Sequence, residues 1–516
     1  MHRSFLFVLA FALMSTQAGA LTSEQWKADL SVLRQAIAAH PNPFRKITRD
    51  EFDHRADALA GELGQLNDSQ VVARMAELVA PLADGHTRLT MPVAENAQLF
   101  GSHGKIEPPK IPPFGSLPIR LTRTVDGLVV TATTEAHHDL LGALVEAIDG
   151  KPIAEVESAI GPLVYGDNEH QREHLLPQFL VIPELLTAMN ISSGEGGTVL
   201  WTLRLADGKQ VSRRLIEIGN GPVSWSLLSK SSSSPGKRHW FTESPDGLIY
   251  ARLTDILDDP QQSVEQFAES LFARVEATSN PTLVLDLRDN QGGDNTLNDS
   301  IVRMAIRAQK VWQPGRCFVL INGGTFSAAI NLATLLERWV PVIFVGQPTG
   351  GSPNGYGDPK RTILPNSGLS LLVSTLYWQV SSPTDKRDCI TPLLPVAPTA
   401  ASLRNDQDLG LDLIRSLTKE PVSPKESFTG QWAVANRQLE ISFQFATDSA
   451  SLTIHALRIE AEPITDLKRN GPILEGKIAH GSQKVALHGR FTGAHFLGWL
   501  DIGGRPYSFV TKSPGN

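Results

Sequence analysis

At 516 residues, 41% hydrophobic and 20% charged, the chain is long enough for more than one core and too apolar to be disordered throughout. A net charge of −7, with His neutral, excludes the basic footprint of a nucleic-acid-binding protein and selects no substrate.

Arg3 precedes an unbroken apolar run, Phe5–Met14, and Ala18-Gly19-Ala20 fits the small-residue rule for signal-peptide cleavage. Residues 1–20 are therefore expected to be a secretory signal peptide removed after Ala20. The run is too short to span a membrane well, and no later apolar run is longer. The mature chain is expected in the periplasm, without a stable transmembrane anchor. Its two cysteines, Cys317 and Cys389, are expected to be buried thiols, with a disulfide as the alternative.

Residues 21–108 read as a helical region. Apolar residues recur every three or four positions after Ser23, and again after Asp68 or Ser69, each taken as a possible N-cap. "HTRLT" at 86–90 then alternates like a short strand. Residues 109–235 read as a mixed α/β region. Hairpin signals fall at Asp126-Gly127 and Asp207-Gly208, and a tight turn at Asp149-Gly150. Ser-rich 227–240 reads as a loop.

Residues 236–415 alternate strands and helices, the signature of a sheet covered by helices. "PTLVLDLRDNQGG" and "CFVLINGGTFS" each end an apolar strand in polar residues and glycines. Ligands on such sheets sit beyond the carboxyl ends of the strands. Residues 421–516 alternate over short strands with glycine turns and read as a separate all-β domain, a small barrel or sandwich.

Ser327 opens the helix that follows "NGGTF". A serine there is ordinarily a helix cap. As a nucleophile it needs a base and an oxyanion hole. The helix start offers the Ala328 N–H, and the turn at Gly292-Gly293 offers a second.

Taken together, "LADGHTRLT" at 82–90, "LVLDLRDNQGGDN" at 283–295, "NGGTFSAAINLATLLE" at 322–337 and "VGQPTGG" at 345–351 resemble the tail-specific or C-terminal-processing proteases, the S41 serine peptidases. The resemblance spans roughly 25–415. It implies an α/β catalytic core of the ClpP/crotonase-like type, joined to an N-terminal helical region and a reduced PDZ-like module within 117–160. It implies Ser327 as nucleophile, with Ala328 and Gly292 as oxyanion donors and Gly293 as the close alternative. Asp286, Asn290, Gly324 and Tyr356 would shape the site. The lysine of the Ser–Lys branch is absent, since Ser352 stands at its position and Lys360 lies eight residues on. His86 matches the histidine of the tricorn-core-like branch. The acid that would orient it is expected at Asp388 or Asp385, with Asp358 a third candidate. The implied activity is hydrolysis of peptides or unfolded chains through an acyl-enzyme, without metal or organic cofactor. A catalytically inactive peptide-, lipid- or glycan-binding protein on the same fold, or a small-molecule esterase, are the alternatives.

Overall fold

The computed structural model describes residues 20–94, 109–194, 197–219, 223–229, 237–418, 427–434, 437–480 and 483–514. The signal-peptide expectation and half of the Ser-rich loop, 230–236, lie outside these.

Three helices, Ser23–Ala38, Arg49–Glu62 and Asp68–Val79, open the chain. Their caps lie just before the expected residues. Thr22 and Asn67 each accept the N–H three residues on, and Gln25 and Gln70 reciprocate. These are capping boxes, in which two otherwise orphaned backbone donors are satisfied together. The helices share one core with a seven-stranded antiparallel sheet built from strands between Ile119 and Leu227. Leu364, Leu369, Leu371 and Val373 join this same core. They come from the later α/β stretch because Ser370–Val373 pairs with Arg88–Leu89. That pairing ties the segment just after His86 to the later α/β stretch.

The second body is a six-stranded sheet. Its order is Leu394–Pro395, Ile343–Gly346, Cys317–Ile321, Thr282–Asp286, Leu248–Leu253 and His239–Glu243. All neighbours are parallel except the last pair. Its inner strands are buried along their whole length, which is why they read as continuous apolar runs. Alternate residues divide between the two faces. Leu283, Leu285 and Val319 meet the helices Val264–Ala277, Asn298–Arg307 and Ala328–Trp339. Val284, Phe318 and Leu320 meet the helix Leu409–Thr418 and two residues of the C-terminal domain, Leu497 and Val510.

That domain is a closed eight-stranded barrel from Ser427 to Lys512, each strand antiparallel to the next and the first paired with the last. Phe428, Phe443, Phe496 and Phe509 fill its interior. Both cysteines are free and buried, and burial pushes the Cys317 thiol up to about 12. Among the described residues no helix is long and apolar enough to cross a membrane.

Candidate active site

The Cys317–Ile321 strand runs straight into the turn that seats Ser327. Asn322 ties this turn to the end of the neighbouring strand. Its Oδ1 accepts the Asp289 N–H at 2.9 Å and the Gly324 N–H at 3.0 Å. Thr325 Oγ1 donates to the Leu287 carbonyl at 2.8 Å, and the Phe326 N–H donates to the Asn290 carbonyl at 3.0 Å. Glycine is required by close approach. A Cβ on Gly323 would lie 2.4 Å from the His170 carbonyl oxygen, and one on Gly324 2.7 Å from His174 Nε2.

Ser327 adopts φ +53° and ψ −126° and makes no side-chain capping bond. A non-glycine residue held there stores about 1–3 kcal/mol of strain. The helix therefore begins without the capping bond that a serine ordinarily supplies. The hydroxyl is turned away from the helix, with Oγ 2.9 Å from His86 Nε2. Ser327 and His86 are both half-buried in a cleft of about 390 Å³, with Ala328, Gly293, Tyr356 and Asp358 also on its walls. A larger cavity of about 580 Å³ lies behind the Asn322-Gly323 turn and touches neither Ser327 nor His86.

Two carboxylates cradle the His86 loop. Asp84 accepts the His86 N–H at 3.0 Å, the Thr87 hydroxyl at 2.7 Å and a 2.8 Å bond from His40 Nε2. Burial pushes its pKa up, but the His40 bond and the facing His86 outweigh this and hold it well below the usual range. Asp167 accepts the Gly85 N–H at 2.7 Å. Enclosure, with Asp84 nearby, pushes Asp167 up to about 7. Burial takes His86 the other way, down to about 4, against the pull of the Asp84 charge and the Tyr356 backbone. The imidazole is thus neutral at neutral pH.

The expected acids are elsewhere. His86 Nδ1 is buried and no carboxylate bonds it; the backbone of Tyr356 is the group beside the ring. The Asp385 carboxylate is taken by Ser381 and Arg387, and Arg387 in turn grips Glu337. Asp388 lines a separate cavity, and its carbonyl accepts from Asn168 and Ser352. Asp358 stands on the cleft wall but accepts from Trp378 Nε1 at 2.5 Å.

The Gly292 expectation is also corrected. Its N–H donates to Asn290 Oδ1 at 2.9 Å and so is already used. Gly292 matters by absence of a side chain, since a Cβ there would lie 2.5 Å from Ser327 Cβ. Among the described residues no hydrogen bond takes up the N–H of Gly293 or Ala328, and both residues line the cleft. Asn290 is a brace, with Nδ2 donating to the Leu253 carbonyl at 3.0 Å. Asp286 is fully buried, binding Arg252, Arg288 and the Tyr250 hydroxyl beneath the turn. Tyr356 lies against His40, with ring centroids 4.8 Å apart. Asp167, His40 and Trp378 escaped sequence reading because nothing in their local pattern marks them. Among the described residues no cluster of three or more His, Cys, Asp and Glu could hold a metal ion.

No protein-family model and no curated protein matches the chain. Solved structures do. Mature CPAF complexed with lactacystin matches with a TM-score of 0.53 at 13% identity, over 76% of this chain and 97% of that one. Mature CPAF matches with a TM-score of 0.51 at 13% identity, over 76% of this chain and 96% of that one. At such identity the likeness concerns the fold alone: this chain has a fold similar to that of mature CPAF.

Proposed function

We propose that the protein is an exported serine peptidase that hydrolyses peptides or unfolded chains. The observation that carries this reading is the 2.9 Å contact between His86 Nε2 and Ser327 Oγ, made by a serine whose backbone is strained out of a cap's geometry. Neutral His86 takes the hydroxyl proton as Oγ attacks the scissile carbonyl. The Ala328 and Gly293 N–H groups receive the developing oxyanion. His86, now protonated, donates to the leaving amine. Water, deprotonated by the same imidazole, then releases the acyl group. No carboxylate orients the ring. The Asp84 and Asp167 bonds to the loop backbone and the packing of the ring on Phe326, 4.4 Å between centroids, hold it instead. The strands and helix between Ile119 and Ile160 serve as a reduced PDZ-like spacer.

Intact mass after treatment with a fluorophosphonate tests the reading. One adduct is expected on the wild type. It should vanish in Ser327→Ala and form about 10²–10⁴-fold more slowly in His86→Ala. A folded wild type that forms no adduct between pH 6 and 9 would sink the peptidase and leave a binding protein.

A further inference from the structure

A cavity of about 620 Å³ lies where the six-stranded sheet and its helices meet the barrel. On the sheet side it is lined by the end of the Ala328–Trp339 helix, by Phe344 and by residues between Ser381 and Thr391. On the barrel side it is lined by Ala433, Arg437, Arg505 and Tyr507. It shares no lining residue with the Ser327–His86 cleft. A volume in this range holds a small organic molecule. Its loop wall is braced from outside. The Ser381 N–H donates to Asn354 Oδ1 at 2.8 Å, and Asn354 Nδ2 donates to the Ser382 carbonyl at 2.9 Å. Arg387 is gripped by Glu337 at 2.7 Å and Asp385 at 2.9 Å.

Among the described residues four arginines and no lysine line this cavity. The charge of Arg387 is met by its two carboxylates. Arg338, Arg437 and Arg505 make no ion pair among the described residues, and Asp388 is the one lining carboxylate left to oppose them. The walls therefore carry a positive excess. A second observation points the same way. Arg338 and Arg505 both sit over the Trp339 indole, at 4.8 and 5.6 Å from its centroid. One comes from the helix and the other from the last barrel strand, so the fold brings two like charges to a single ring. Like charges held together repel unless an anion joins them. Arg338 Nε is also buried without a hydrogen-bond partner, which leaves a donor unused.

We infer that this cavity binds a small molecule carrying closely spaced phosphate or carboxylate groups, with Arg338, Arg437 and Arg505 as its anion-binding groups. A guanidinium fork matches the paired oxygens of either group, where a lysine offers only a point charge. Val342, Phe344 and Tyr507 give the rest of the ligand an apolar and aromatic lining. The site is separate from the cleft, and its occupancy does not depend on Ser327 reacting.

The test is isothermal titration calorimetry of the mature protein with inorganic pyrophosphate and, separately, with citrate, at about 0.15 M salt so that loose surface attraction is screened. One saturable site is expected for at least one probe, and the tighter of the two identifies phosphate or carboxylate as the ligand group. Arg437→Gln and Arg505→Gln, both at exposed positions, should each weaken binding about tenfold. Arg303→Gln removes an exposed arginine on the Asn298–Arg307 helix, away from the cavity, and should leave binding unchanged. Absence of saturable binding of both probes overturns the site. So does binding that the two cavity variants leave intact, or that Arg303→Gln weakens as much as they do.

Discussion

His86 and Asp167 sit in the same enclosed corner and respond to it with opposite signs. Desolvation penalises whichever form is charged, so it lowers a histidine and raises a carboxyl. His86 falls to about 4 from 6.5. Below that value the ring is protonated and cannot accept the Ser327 proton. Fluorophosphonate labelling should therefore rise through about pH 4 and be level above pH 6. A midpoint near 6.5 would show that the reacting base is not this enclosed imidazole. The same shift bears on stability. Between 6.5 and 4 the unfolded chain takes a proton that folded His86 refuses, so stability from this group is lost as pH falls through that window. Asp167, raised to about 7 from 3.8, does the reverse. The folded state keeps a proton that the unfolded chain releases, and stability is lost as pH rises from 3.8 to 7. Asp167→Asn retains an acceptor for the Gly85 N–H and removes the half-buried charge. It should raise Tm at pH 8 and leave it unchanged at pH 4. An equal rise at both values would contradict the assignment.

At the scale of elements, the Ser327 turn is a junction of three strand ends. It follows Cys317–Ile321, is bonded to the turn after Thr282–Asp286, and is pressed by the segment after Ile343–Gly346. Gly350 makes the last contact. A Cβ there would lie 2.1 Å from the Gly323 carbonyl oxygen. Both atoms are held by backbone, so neither can yield cheaply. Gly350→Ala is expected to lose about 1–3 kcal/mol by denaturant unfolding and to slow adduct formation far more than Gly61→Ala, where the added Cβ meets nothing within 4 Å. Equal effects at the two positions would separate Gly350 from the site. The glycines of this junction were legible in the sequence as a cluster. Which backbone each one clears was not, because those partners come from His170 and other distant segments.

For the whole molecule, the barrel is more than an appendage. Leu497 is fully buried in the cluster beneath the six-stranded sheet, against the floor left by Gly315, whose added Cβ would meet Leu497 Cδ1 at 2.5 Å. Thr492 Oγ1 donates to the Leu417 carbonyl at 2.5 Å, and Trp499 Nε1 donates to the Trp312 carbonyl at 3.2 Å. Leu497→Ala is expected to lose about 2–5 kcal/mol. The loss should appear in the unfolding of the sheet, read from tryptophan fluorescence, and not in the barrel alone. A mutant with an unchanged transition would place the barrel outside the cooperative unit. The N-terminal helices are likewise joined to distant chain, through Ser370–Val373.

The amino-acid sequence by itself determined the local elements and the ends where chemistry collects. Strand and helix periods follow from which side chains each segment must bury, and the glycine motifs follow from backbone clearance. The Asn290–Gly292 bond was in principle legible too, since an Asn side chain commonly accepts the N–H two residues on. It redirects the free donor to Gly293. Tertiary structure alone brought His86 within 2.9 Å of a serine 241 residues away. It also left Nδ1 of that histidine without a carboxylate, because Arg387 claims Asp385 and Trp378 claims Asp358. Such choices depend on which charged or polar partner reaches a group first in three dimensions, and no local pattern encodes that competition.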